Sequence, residues 1–389
     1  MTNDQQQQQN WSNQWDLRPG VTYLNHGSFG PPARPVQAER RQWQQQLDSQ
    51  PMDFFDRQFE PALQAARQRL AEFVGADPQD LVFVENATAA MNVVANSLRL
   101  EHNDQVLLTD HEYGAVHRIW QRATLRAGAS EPVIASLPDR IESADQLVDR
   151  LLDAFTPRTR LLVISHITSP TAITMPIETI VRRAHQRGVL VCVDGPHAPA
   201  QIPLDLNALG GDFYCASLHK WLSAPFGSGF LHVRPEHQAR ITPTQISWGR
   251  LLPRRPESWS DEFIWSGTRD PSAMLTVPAA IDFLQETGLD AFREHGYRLA
   301  TEVRNRLAEW TGLTPITPND RCWYTCMGHA PLPSGDASGL QRALWQRHAI
   351  EVPIVSWKDR YWLRVSCHLY NCRQDIDRLF GALVREIRA

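Results

Sequence analysis

No apolar run in this chain reaches the roughly 18 residues needed to cross a bilayer, so a membrane-spanning segment is not expected. The opening residues MTNDQQQQQNWSNQWD have neither a basic stretch nor an apolar one behind it. They do not read as a secretory signal, and a cytoplasmic location is expected. A surplus of either charge is also missing. The 39 basic and 43 acidic residues leave a net charge of −4, which gives no reason to expect nucleic acid or an anionic membrane as partner. Cysteine is scarce: the six residues include a CxxxC spacing at Cys322 and Cys326, but no second Cys/His cluster completes a zinc site. No metal is expected, and without an export signal the thiols are expected to be free. Internal repeats are absent. The 13 tryptophans are scattered, so Trp120, Trp221, Trp265 and Trp357 read as packing residues rather than a ladder for stacking bases.

What is present is an ordinary globular composition, 42% hydrophobic and 21% charged over 389 residues, enough for two domains or one large one. Residues 1–18 are expected to be a disordered Gln-rich tail. From about residue 55 to 235, short β-rich runs (DLVFVE, DQVLLTD, TRLLVISHI, GVLVCVDG, DFYCAS, SGFLHVR) alternate with amphipathic helical patterns. Near-continuous apolar strands separated by helices predict an α/β fold with a mostly parallel sheet covered on both faces. Past about residue 270 comes a long helical stretch, AMLTVPAAIDFLQETGLDAFREHGYRLATEVRNRLAEWTG, then mixed segments and a terminal helix. The chain thus divides into a large domain over 19–270 and a smaller α+β domain over 271–389.

The strongest chemical signal is a pair of strand ends. GVLVCVDGPHA carries Asp194 and His197; DFYCASLHKWL carries Ser217, His219 and Lys220. Ligands of parallel α/β sheets sit at the carboxyl ends of strands, so a carboxylate and an amine face one ligand there. Pyridoxal 5′-phosphate (PLP) needs such a pair. Its aldehyde takes an imine from lysine, and a carboxylate keeps its ring nitrogen protonated. Taken singly, Lys220 also reads as a surface lysine and Asp194 as a loop cap.

Four weaker signals join it. In ENATAAMNVVANSL a strand runs through Asn86 and Thr88 into a helix whose start suits a phosphate, or is an ordinary N-cap. In WSGTRDPSA, Thr268 sits in a turn before a helix. In DHEYGAV, Tyr113 offers a flat face for stacking, or packs at an interface. In YWLRVSCHLYN, Arg364 lies on an apolar strand and calls for an anion, either a substrate carboxylate or a structural acid.

Together these residues resemble the class V aminotransferase family of fold-type I PLP enzymes, from about Tyr23 to Asn371. The phrases YLNHGSFGPPA, DHEYGA, ITSPTA, VDGPHA, SLHKWL and IEVP are most similar to the isopenicillin N epimerase-like branch. The resemblance implies a seven-stranded sheet with a smaller C-terminal domain. It implies that Lys220 is the PLP-bearing lysine and proton shuttle, that Asp194 pairs with the ring nitrogen, and that His197 meets the phenolic oxygen. Tyr113 is implied as the stacking residue and is a candidate in catalysis. Thr88, the Ala89 backbone, Ser217 and His219 would contact the phosphate, with Thr268 supplied by a second copy in a homodimer with shared sites. Arg364 would bind the substrate carboxylate; Asn25 and His26 would line the entrance.

The chain departs from the family in two places. No cysteine occurs in HAIEVPIVSWKDRYWLRVS, where cysteine desulfurases carry theirs, so persulfide chemistry is disfavoured. Many relatives have asparagine where this chain has Ser169. The expected activity is therefore PLP-dependent chemistry at the α-carbon of an amino acid. Epimerisation, C–S β-elimination from a cysteine conjugate or sulfoxide, and transamination stay open; the far-face acid that epimerisation wants is sought among Tyr113, His111 and His26. A scaffold role is opposed by the retained Lys220 and Asp194.

Overall fold

The protein is described by a computed structural model covering residues 10–388. Strand β1 (Thr22–Tyr23) lies outside the main sheet. That sheet contains β2 (Leu81–Val84), β3 (Gln105–Thr109), β4 (Val133–Ala135), β5 (Thr159–Ser165), β6 (Leu190–Asp194), β7 (Phe213–Ser217) and β8 (Gly229–Val233). Their order is β2-β8-β7-β6-β5-β3-β4. All neighbours are parallel except β8, which runs antiparallel to both β2 and β7. The six strands read from the sequence are all present. The edge strand β4 went unread because it is only three residues long, with Val133 half-buried and Ile134 exposed.

Strands β3, β5, β6 and β7 are apolar along nearly their whole length because both sheet faces are covered. Two clusters of buried side chains result, one built around Met91, Trp120 and Phe213, the other around Leu107, Leu162 and Tyr214. Helices form where the apolar period changes to 3.6. Ala87–Ser97 is capped by Asn86, and Ile177–His185 buries Ile177, Ile180, Val181 and Ala184 on one stripe. Helix Gly114–Ala127, not singled out in the sequence, begins directly after Tyr113, which is its N-cap residue.

In the C-terminal part, β9 (Met327–Pro331), β11 (Ile354–Trp357) and β12 (Arg360–Ser366) form an antiparallel sheet with β12 at its centre. Strand β10 (Ile350–Glu351) pairs instead with β1, and Asn25 bridges to Ser366. The N-terminal segment is thereby stitched to the C-terminal part. The long helical stretch is three helices, Ser272–Leu275, Val277–Thr287 and Leu289–Thr311. Pro278 favours a helix start and removes a donor, and Gly288, at φ +97°, ends the second helix.

The expected tail needs correction. Residues 1–9 lie outside the described residues. From Asn10 the chain is folded: Trp15 is buried, its indole N–H donates to the Pro31 carbonyl at 3.0 Å, and its ring meets Phe283, His368 and Tyr370 edge-on. The Gln-rich composition hid two tryptophans, Trp11 and Trp15, that carry the packing.

Candidate active site

The carboxyl ends of β5, β6 and β7 come together, and the residues read as chemical gather there. Asp194 closes β6 beside Ser165 of β5 and Cys215 of β7. Gly195 follows because a Cβ there would sit 2.2 Å from the Tyr214 ring. The turn after β7 brings Lys220 back, with its Nζ 3.0 Å from His197 Nε2. Burial pushes the Lys220 amine down to about 7, aided by the Arg364 charge and opposed by Asp194. Burial pushes the Asp194 carboxyl up, and the Lys220 cation opposes it.

Asp194 is 5% exposed, yet no described side chain or backbone N–H hydrogen-bonds to its carboxylate. Buried carboxylates are normally partnered, so this one has the chemistry to receive a ring N–H.

Arg364, at the centre of the small sheet, is 5% exposed. Its guanidinium donates to the Ser169 carbonyl and hydroxyl, to Ser28 Oγ at 2.7 Å and to Asn25 Oδ1 at 3.4 Å; Nε has no partner. No carboxylate pairs with it among the described residues. Burial lowers its pKa to about 10, which leaves it cationic near neutral pH. A buried cation held by neutral groups suits an incoming carboxylate. Ser28 is a partner that sequence reading passed over, although it lies inside the quoted YLNHGSFGPP segment.

The residues expected at a phosphate lie around the start of helix Ala87–Ser97 and the turn after β7. Ser217 Oγ accepts the Ala87 N–H at 2.9 Å, Thr88 is exposed at the helix start, and the buried Nδ1 of His219 has no partner. Ala89 is a correction. Its N–H donates to Asn86 Oδ1 at 2.9 Å, so the ordinary cap takes up the donor expected for phosphate. Tyr113 is 52% exposed and lies within electrostatic range of the Arg364 guanidinium, which puts it at the same crevice. Thr268 is exposed, in a loop anchored by the Arg269–Glu85 ion pair.

His26 is the second correction. It is wholly buried, with Nδ1 at 2.8 Å from Tyr370 Oη and Nε2 at 2.9 Å from the Lys220 carbonyl. Both nitrogens are committed, so it props the lysine turn from behind instead of lining an entrance. Gly30 makes room for this: a Cβ there would lie 2.5 Å from His26 Nε2 and 2.6 Å from the His219 and Lys220 carbonyls.

The profile of the family described as Aminotransferase class-V matches residues 36–379. The chain belongs to the class V aminotransferase family. It is accordingly a PLP-dependent enzyme, as the Lys220–Asp194 pair indicates. Over 96% of its length and 98% of the relative's, it is 40% identical to an isopenicillin N epimerase of Amycolatopsis lactamdurans. A second isopenicillin N epimerase, from Streptomyces clavuligerus, is 37% identical over 94% of this chain and 95% of that one. Putative L-cysteine desulfhydrase 1 of Oryza sativa is 31% identical over 94% and 83%. The enzyme is thus epimerase-like in sequence, with desulfhydrases more distant. Among solved structures, a C-DES variant with glycine covalently linked to its PLP cofactor superposes with a TM-score of 0.81 at 20% identity, covering 94% and 96% of the two chains. That likeness establishes the fold-type I architecture.

Proposed function

We propose that this enzyme removes and returns the α-proton of an amino acid, in the manner of the isopenicillin N epimerases it resembles. Arg364 carries the reading: a buried guanidinium without a carboxylate partner, in one crevice with Lys220 and Asp194. It would hold the substrate carboxylate, with Ser28, Ser169 and Asn25 fixing the fork, and so set which α-carbon bond faces the lysine. Lys220, its pKa near 7, would take the proton on Nζ. Asp194 would accept the ring N–H, while Ser217, Thr88 and His219 would hold the phosphate. When bound, the cofactor supplies an electron-withdrawing ring that accepts the pair left at the α-carbon.

Inversion needs an acid on the far face. Of the three candidates, His26 is enclosed, and His111 is buried against Trp357 with Nδ1 bonded to Thr171. Tyr113 alone is exposed at the crevice, and we assign it that role. A Tyr113→Phe enzyme should still exchange the α-proton while accumulating little D-isomer.

The second reading, a C–S β-lyase, draws on the desulfhydrase relatives. Persulfide transfer is disfavoured further by burial of Cys367, which pushes its thiol pKa well above the usual range. A homodimer, with Thr268 reaching the partner's site, is supported by exposed Phe226, Ile246, Trp248 and Leu252 around that loop; sedimentation of wild-type and Leu252→Asp protein tests it. A cytoplasmic location completes the proposal.

The deciding experiment is proton NMR of the loaded enzyme in D₂O with L-amino acids and cysteine conjugates. Exchange of the α-proton with D-isomer accumulation supports the epimerase reading. Pyruvate, ammonia and a sulfur fragment would overturn it in favour of the lyase. The chain has only two lysines, Lys220 and Lys358, and Lys358 is tied to Asp110 and Asp139, so borohydride should fix the cofactor on the Lys220 peptide alone.

A further inference from the structure

His197 lies between two nitrogen groups. On one side its Nδ1 is 3.2 Å from Trp221 Nε1; on the other its Nε2 is 3.0 Å from Lys220 Nζ. An indole nitrogen only donates. The Nδ1 facing it must therefore carry a lone pair, which excludes the imidazolium and the Nδ1–H tautomer together. A neutral ring with an unprotonated Nδ1 has its proton on Nε2. We propose that Trp221 is a positioning residue that locks the His197 proton on Nε2, so that this ring presents an N–H donor to the phenolic oxygen of the bound cofactor. The inference rests on the reading that His197 meets that oxygen.

The lock is built into the fold. Trp221 is 1% exposed and His197 is 1% exposed, so water does not compete for either nitrogen. The indole is braced by the N-terminal segment: the His26 ring lies 5.6 Å away, and a Cβ on Gly27 would come within 3.3 Å of Trp221 Cζ2. The His197 carbonyl is held by Gln201 Nε2 at 2.6 Å. The same arrangement constrains Lys220. An N–H on Nε2 facing the lysine requires Nζ to accept, hence a neutral amine. Burial of His197 opposes a cationic ring, as does the Arg364 charge, which agrees with the neutral form. A tryptophan that reads as core packing thus selects the protonation of two neighbours in series.

The donor matters because a hydrogen bond to the phenolic oxygen stabilises its anionic form and sets how readily the lysine–cofactor linkage gives up its proton. Without the indole the proton is free to move to Nδ1, and Nε2 would turn a lone pair toward an oxygen that also carries one.

The test is nitrogen-15 NMR of the histidine rings, in the cofactor-free chain and the loaded enzyme, for wild type and Trp221→Phe, with a pH titration of the visible absorbance of the loaded forms. Wild-type His197 should show a protonated Nε2 and a bare Nδ1. In Trp221→Phe the tautomers should mix, and the yellow-to-colourless transition should move up by about one pH unit. Lys220, Asp194, Arg364 and His219, the charged and titratable groups around His197, are unchanged by the substitution. A wild-type ring protonated on Nδ1 would overturn the assignment, as would an unchanged tautomer and transition in the variant. The wild-type shifts decide the point if the variant does not fold. A chain that never turns yellow defeats the cofactor reading instead, and the tautomer in the cofactor-free chain still decides the role of Trp221.

Discussion

Two buried aspartates sit at opposite ends of the main sheet, and their surroundings differ completely. Asp212 precedes β7 at the amino end. Its carboxylate accepts from His185 Nε2 at 2.8 Å, His237 Nε2 at 2.8 Å and the Val191 N–H at 2.7 Å. Burial works against its charge, but these bonds outweigh burial and hold its carboxyl below the usual range. Asp194 ends β6 at the carboxyl end, has no such donors among the described residues, and burial raises its pKa. The two residues are almost equally enclosed, 2% and 5% exposed. Burial alone therefore does not distinguish a structural charge from a functional one; the presence of partners does.

The sharpest way to break this comparison is to remove each carboxylate in turn. Asp212→Ala strands two histidines and a backbone donor and should cost about 3–5 kcal/mol in denaturant unfolding, with turnover per folded molecule retained. Asp194→Ala should do the reverse, lowering turnover by about 10²-fold or more with stability little changed. Equal stability losses would erase the distinction.

Arginines extend it. The Arg250 and Arg254 guanidinium groups are both paired to Glu60, whereas Arg364 holds only neutral groups. Arg364→Gln should raise KM by about 30-fold or more, equivalent to at least about 2 kcal/mol, with a smaller effect on kcat. A parallel fall in kcat alone would mean that Arg364 does not bind the substrate carboxylate.

Proton linkage gives a graded test. Burial lowers the Lys220 pKa to about 7, so the neutral amine predominates above that pH and is lost as pH falls through it. Cofactor uptake, followed by the growth of yellow colour, should slow about tenfold per pH unit below 7 and level off above it. A rate still climbing at pH 9 would place the amine at its ordinary value. The smallest effect is expected from Ser28→Ala, which removes one of the bonds holding Arg364. It should cost about 1 kcal/mol, seen as roughly a fivefold rise in KM.

Much of the site could be read from sequence because Asp194, Ser217 and Lys220 follow directly on apolar strands, and a parallel sheet puts all such ends on one side. Arg364 was legible for a related reason: a guanidinium in an apolar strand is an anomaly wherever the strand lies. His26, Trp221 and Ser28 were not legible in the same way. His26 meets a carbonyl 194 positions later in the chain, and Ser28 meets a guanidinium 336 positions later. No local pattern encodes such a meeting, and a tryptophan followed by leucine reads as core whether or not its N–H selects a tautomer.

The sequence by itself determined the strand and helix order, the mostly parallel sheet and the lysine–aspartate pair, because each depends on apolar periodicity over a few neighbouring residues. Only the tertiary structure decided that residues 10–18 pack against the core, that Ala89 is capped, that His26 supports the lysine turn from behind, and that Arg364 has no carboxylate partner among the described residues. Those outcomes depend on which polar atoms meet when distant segments close, and a buried polar atom takes the nearest geometrically suitable partner wherever in the chain it comes from.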